Sequence, residues 1–175
     1  MCHTNGRSGE HLCDTGRVFV SFRLAVPIRD ATLDDMPALR EIFRSASLSN
    51  DGDVPNLVAH PEVLVYGDEW VRAGLVRVAE IGGHVRGFAT AVPSDAGLEL
   101  EDLFTDPAFM RRGIATALIH DIAVSAAAKG IRRLEVTGNT HAREFYESAG
   151  FVNDGTAATE FDYGLRMHLD LGTSP

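Results

Sequence analysis

Apolar positions along this chain change spacing several times, and each change marks an element. From Val18 to Arg29 apolar and β-branched residues alternate with polar ones, which predicts a first strand ending near Pro27, where the amide donor is missing. A helix is predicted from about Asp34 to Ser45. Thr32 and Asp35 have the spacing of a capping box, but a cap at Asp34 puts Pro37 in the first turn, where no intrahelical bond is lost, and the later start is preferred. Between Ser47 and Gly74, Pro55, Pro61 and several Asp and Gly residues break the pattern into loops and short helical pieces. Such segments often carry substrate contacts.

Two apolar-rich runs, Leu75 to Ile81 and Val85 to Val92, flank Gly82-Gly83 and predict a hairpin. A turn at Pro93 to Ala96 leads into a third strand, Gly97 to Thr105. The next helix runs to about Lys129, with Gly130 as its stop, and its buried face is Ile114, Leu118 and Ile122 with Ala115, Ile119 and Ala123 beside them. Ile131 to Thr137 reads as a strand entered through that helix, a right-handed βαβ crossover whose strands are parallel neighbours. Thr140 to Ala149 reads as a short helix stopped by Gly150, and Phe151 to Val152 and Phe161 to Leu171 supply the last strand material. The sum is a mixed α/β (α+β) fold: a mostly antiparallel central sheet with one parallel crossover and helices on both faces.

The chain has 175 residues, the length of one domain. Residues 1–16, rich in Gly, Ser, Thr, Asn and His, are predicted to be a disordered extension, and 17–175 a single domain. The net charge of -9 argues against a nucleic-acid surface and favours a cationic or neutral substrate, so an anionic ligand needs a local basic patch. Cys2 and Cys13 show no CxxC spacing and no disulfide framework, which points to a reducing, cytoplasmic setting; Cys2, His3, His11 and Cys13 match no standard zinc spacing. No apolar run of about 20 residues predicts a membrane span.

One junction carries chemistry. Met110-Arg111-Arg112-Gly113-Ile114-Ala115-Thr116 is a basic, glycine-punctuated loop running into a helix. The first helical amides lack intrahelical partners, the macrodipole is positive there, and Gly113 lets the backbone approach a phosphate. GxxxxGK[ST] and GxGxxG are both absent, so nucleoside-triphosphate and dinucleotide readings lose their support. Strand ends flanking a crossover helix converge on one edge of the sheet, bringing the strand Leu98 to Thr105, this loop, Asn139 and the Phe145-Tyr146 helix together. His120, His141 and His168 are separated singles; His141 is the nearest to that edge.

This loop, followed by Asn139-x-x-Ala142-x-x-Phe145-Tyr146-Glu147-x-x-Gly150-Phe151, resembles the GNAT superfamily of N-acetyltransferases. Ile28-Arg29-Asp30-Ala31-Thr32 with Asp34-Asp35-Met36 is similar to the beginning of such domains, so the resemblance covers roughly Ala25 to Leu171. Met110 departs from the usual Gln or Arg, which removes a polar contact and leaves the backbone cradle. The resemblance implies acetyl-CoA as co-substrate, with Leu103, Phe104 and Thr105 along its pantetheine arm, Arg111, Arg112, Gly113, Ile114, Ala115 and Thr116 at its pyrophosphate, and Asn139 at the arm or thioester. It also implies Tyr146 as general acid, an acceptor amine on a small molecule or peptide, and no metal; a homodimer fits the family. Acetyl transfer to an ammonium also needs a proton acceptor, and Glu99 and Glu101, two apart on a strand and so on one face with Asp102 on the other, are the base candidates. Each of the two serves equally well as a solvent-facing residue or an arginine partner. An idle acyl-CoA-binding sensor and a different phosphate-ligand enzyme are the alternatives.

Overall fold

The computed structural model describes residues 26–49, 59, 64–158 and 163–172. Its strands are β1 (Ile28–Asp30), β2 (Val76–Ile81), β3 (His84–Ser94), β4 (Gly97–Thr105), β5 (Arg133–Gly138), β6 (Val152–Ala158) and β7 (Tyr163–Asp170). They form one seven-stranded sheet in the order β1-β2-β3-β4-β5-β7-β6, in which β4 and β5 make the parallel pair and every other pairing is antiparallel. The helices are α1 (Met36–Ser47), α2 (Glu69–Arg72), α3 (Ile114–Ala128) and α4 (Arg143–Ser148).

The two faces of β2 and β3 differ in side-chain size, and this decides which helix sits where. Val76, Val78 and Phe88 point toward α1 and close a core with Met36, Leu39, Ile42, Tyr66 and Val71. Ala79, Ala89 and Ala91 point the other way, and these small side chains let α3 lie close, with Ile114, Leu118, Ile119, Ile122 and Ala126 buried against them, Leu100, Leu134 and Val136. Ile114, Leu118, Ile119 and Ile122 belong to the face predicted from spacing. Gly87 sharpens the fit: a Cβ there would lie 2.6 Å from Ile114 Cγ2.

Gly82 and Gly83 turn the β2–β3 hairpin at φ +63° and +77°, the left-handed pair that a two-residue turn matched to strand twist requires. Gly130 and Gly150 follow the helices they were expected to stop, with Ile131 N bonding Ala126 O and Phe151 N bonding Tyr146 O, both 3.0 Å, the wider of the two bonds of a Schellman cap.

Two expectations near the start need correction. Among the described residues the first strand begins just after Pro27, where the sequence ends one: proline cannot donate, but its carbonyl still accepts from Glu80 N at 2.9 Å and admits the chain to the sheet edge. The capping box at Thr32 and Asp35 does form, closing a 3-10 turn over Leu33–Asp35, and α1 then starts at Met36 with Asp35 as its N-cap, one residue beyond the preferred cap. Residues 1–25, with the extension, its Cys and His residues and most of the predicted first strand, lie outside the described residues, as do 50–58 and 60–63 of the irregular segment.

A third correction bears on function. Thr90 pairs with Asp102 and Ala91 with Leu100, so Glu101 is an extra residue in β4, a β-bulge. Strict alternation is broken at that point. Glu99 and Asp102 therefore share the α1 face of the sheet, whereas alternation from the sequence paired Glu99 with Glu101.

Candidate active site

The parallel contact between β4 and β5 is short. Leu98 pairs with Leu134 and Glu99 with Glu135; beyond them β4 bulges and diverges, while β5 continues along β7. Among the described residues no strand takes the vacated side of β4 from Glu101 to Thr105, so peptide groups on that edge are available to an extended ligand. The fork opens toward the N-terminus of α3.

A cleft of about 690 Å³ fills this fork. Leu103, Phe104 and Thr105 form one wall, Asn139, His141, Ala142, Phe145 and Tyr146 the other, and Met110, Arg111, Gly113, Ile114, Ala115 and Thr116 the end. All predicted ligand-contacting residues except Arg112 line it. Arg112 lines a neighbouring cavity of about 800 Å³ that shares Arg111, Gly113 and Thr116 with the cleft, so the two cavities meet at the helix N-terminus.

That terminus is shaped for an anion. Gly113 caps α3 with φ +80°, and a Cβ added to it would meet nothing within 4 Å, so the space in front of it is open. Ala117 makes the first intrahelical bond, to Gly113 O at 2.9 Å, which leaves the Ile114, Ala115 and Thr116 amides ahead of the ladder. The first turn holds no acidic residue, and Arg111 takes φ +59°, a conformation costing roughly 1 kcal/mol outside glycine. The loop is fastened from below: the guanidinium groups of Arg86 and Arg112 lie 4.2 and 4.7 Å from the Phe109 ring centre, and Arg86 bonds Asp106 at 2.9 Å.

Tyr146 is buried, with its ring edge-on to Phe145 and Phe151 at 5.2 and 5.3 Å. Burial pushes its phenol up to about 12, so it keeps its proton at neutral pH. A Cβ on Gly138 would lie 2.7 Å from Tyr146 Cε2; the ring needs glycine at the end of β5. Asn139 Oδ1 accepts from His141 N at 2.9 Å and so shapes the 3-10 turn over Thr140–Ala142 that sets up α4. Phe145 packs against the core.

The two glutamates differ. Glu99 is occupied: Arg166 Nη1 donates to both its carboxylate oxygens at 2.7 Å. Glu101 stands exposed on the bulge. Asp102 was missed as a candidate because the bulge turns it inward, where burial raises its carboxyl above the usual range while a Thr90 hydrogen bond opposes the rise. Thr90 Oγ1 also lies 2.9 Å from the Tyr66 hydroxyl, so the buried Tyr66 closes a polar chain beneath the sheet. A break in alternation depends on the partner strand and leaves no mark in the β4 sequence. Among the described residues no three or more His, Cys, Asp or Glu side chains gather as metal ligands, and no helix is long and apolar enough to cross a membrane.

The forked parallel pair, the left-handed glycine at a helix N-terminus and the tyrosine facing it define an acetyltransferase architecture. The family model described as "Acetyltransferase (GNAT) family" matches residues 37–151, and the chain belongs to that family. Solved structures agree on the fold. A GCN5-related N-acetyltransferase from Rhodopseudomonas palustris superposes with a TM-score of 0.71 at 18% identity, covering 84% of this chain and 96% of that one. PaiA N-acetyltransferase from Thermoplasma acidophilum, solved in complex with coenzyme A, gives 0.66 at 16% identity over 84% and 99%. A ribosomal-protein-alanine N-acetyltransferase from Brucella melitensis gives 0.64 at 25% identity over 83% and 100%. No curated protein matches the sequence.

Proposed function

We propose that this acetyltransferase moves the acetyl group of acetyl-CoA to a primary amine of a small molecule or peptide by direct attack, without a covalent enzyme intermediate. The observation that carries the reading is the single cleft in which the open edge of β4, the N-terminus of α3 and Tyr146 meet. Its donor set fits the co-substrate. The free amides of Ile114, Ala115 and Thr116 with Arg111 and Arg112 suit a pyrophosphate, and Leu103, Phe104, Thr105 and Asn139 suit a pantetheine arm that adds a strand-like edge to β4. A net charge of -9 favours a cationic acceptor.

In the reaction the amine lone pair forms the new C–N bond while the C–S electron pair leaves on sulfur. Tyr146, which carries its proton at neutral pH, donates it to that sulfur. A backbone amide near Leu103 or Phe104 stabilises the carbonyl oxygen as its charge develops. Glu101 takes the proton lost by the amine, directly or through water; its exposure suits it better than Glu99, which Arg166 engages. Asp102 is the second reading for the base, favoured by its raised carboxyl, since a base titrating nearer neutral pH transfers protons more effectively.

The test combines binding with turnover. Acetyl-CoA is expected to raise the melting temperature, a panel of primary amines to release free thiol, and Tyr146→Phe to lower kcat by about 100-fold or more with little change in acetyl-CoA affinity. No thermal shift at saturation refutes the enzyme reading. A shift without thiol release from any amine makes the protein a sensor of acyl-CoA.

A further inference from the structure

The apex of the β4/β5 fork holds a charge arrangement that the chemistry above leaves unused. Glu99 and Glu135 are register partners on adjacent parallel strands, so their side chains leave the same face of the sheet side by side. Like charges directly opposite each other push strands apart. Here one cation lies between them. Arg166 stands on β7 opposite Thr137 of β5, and its guanidinium reaches beneath β5 to β4. Nη1 donates to both oxygens of Glu99 at 2.7 Å and to Thr137 Oγ1 at 2.9 Å, and Nη2 donates to Glu135 Oε2 at 2.8 Å. The side chains are mostly out of water, Glu99 17%, Glu135 12% and Arg166 30% exposed, so screening removes little of the attraction. Arg133 approaches Glu135 at 3.6 Å, too far for a hydrogen bond, and adds only a weak second counter-charge.

We infer that Arg166 is a positioning residue that locks the fork at Glu99 and so fixes the separation of the two cleft walls. This rests on the acetyl-CoA reading of the cleft. The geometric reason is where the bond falls. Glu99 is the last β4 residue paired with β5, so whatever fixes it fixes the hinge from which Leu103, Phe104 and Thr105 depart; Glu135 and Thr137 lie on the strand that runs through Gly138 to Asn139 on the opposite wall. One planar group with five donors holds three strands at that point, a task for which a lysine's single ammonium is poorly shaped. Glu99 is accordingly the anchor of the lock and not the proton acceptor.

The experiment measures acetyl-CoA affinity by calorimetry, with kcat and KM, on the full chain carrying Arg166→Gln, Glu99→Gln and both together. With Arg166→Gln the two adjacent carboxylates keep only the more distant Arg133 as counter-charge, and acetyl-CoA Kd and KM are expected to rise by roughly tenfold, with kcat changed far less. The double variant removes one of the two charges and is expected to recover part of that affinity. A general base would behave in the opposite way, because adding Glu99→Gln would then cost a further ~100-fold in kcat. That result overturns the proposal, as does wild-type acetyl-CoA affinity in Arg166→Gln. Should Arg166→Gln fail to fold by circular dichroism, Arg166→Lys decides: the charge without the fork is expected to give intermediate affinity, and wild-type affinity refutes the lock. A wild-type protein that binds acetyl-CoA and acetylates no amine refutes the transfer reading alone, and the affinities still decide the role of Arg166.

Discussion

Gly138→Ala isolates a single packing contact that positions the proposed general acid, Tyr146. The added methyl would sit 2.7 Å from Tyr146 Cε2 and 3.3 Å from Cδ2, where ordinary contact is 3.4–4 Å, so the ring must retreat by roughly 1 Å. It has little room to do so, because Phe145 and Phe151 pack edge-on against it and the residue is 7% exposed. Overpacking of this kind costs about 1–3 kcal/mol, which lowers the melting temperature by several degrees in a domain of this size. The functional cost is separate and larger. A displacement of about 1 Å at a reacting group lowers turnover by roughly 100-fold, so Gly138→Ala should approach Tyr146→Phe in kcat while retaining most of its acetyl-CoA affinity. The assay pairs a thermal melt with thiol release at saturating acetyl-CoA. Wild-type kcat in a protein whose melting temperature has fallen would show that the hydroxyl position is immaterial, and would remove Tyr146 from the chemistry. Gly138 has no left-handed backbone angle, so strain in the main chain offers no competing explanation.

Two other substitutions test other parts of the construction. Gly113→Ala puts a methyl into the open space before the α3 N-terminus and a non-glycine residue at φ +80°; it should cost about 1 kcal/mol of stability and weaken acetyl-CoA binding by about tenfold or more, read by calorimetry. Asp35, bonded to Arg29 at 2.7 and 2.8 Å, has its carboxyl held down at about 2 by that guanidinium, chiefly through the hydrogen bonds. A depressed acid stabilises the fold above its unfolded value near 3.8 and loses that contribution as pH falls toward 2, so Asp35→Asn should remove about 2 kcal/mol at pH 7 and flatten the denaturant midpoint between pH 4 and 2. An equal fall in midpoint for wild type and variant over that range would refute the assignment.

Much of this architecture is legible in the sequence because it is local. Gly97 to Thr105 is a strand with those same ends, and the apolar spacing of α3 names four of its five buried residues. The cleft residues were found together because a glycine loop, a helix and a tyrosine in that order have one spatial solution when the flanking strands are parallel. What the sequence hid depends on partners distant along the chain. Arg166 lies 67 residues from Glu99, and nothing around Glu99 distinguishes an arginine partner from water or substrate. The same holds for Asp102, whose inward turn is decided by how β3 pairs with it, and for Gly138, whose need for a bare Cα comes from a tyrosine on the next helix. Pro27 differs in kind: it lacks a donor, yet its acceptor suffices to bring the chain onto the sheet edge.

The unpaired Glu101 gives β4 a spare residue. Excising it would leave Asp102 and Leu100 as consecutive partners of Thr90 and Ala91, each already on the face it needs, so the shortened strand would zip into a regular ladder. Most residues of a central strand cannot be deleted without inverting everything beyond them. Here the carboxylate proposed as the base occupies the position in the strand that the ladder can do without, so its deletion is expected to leave a folded protein that binds acetyl-CoA and transfers no acetyl group.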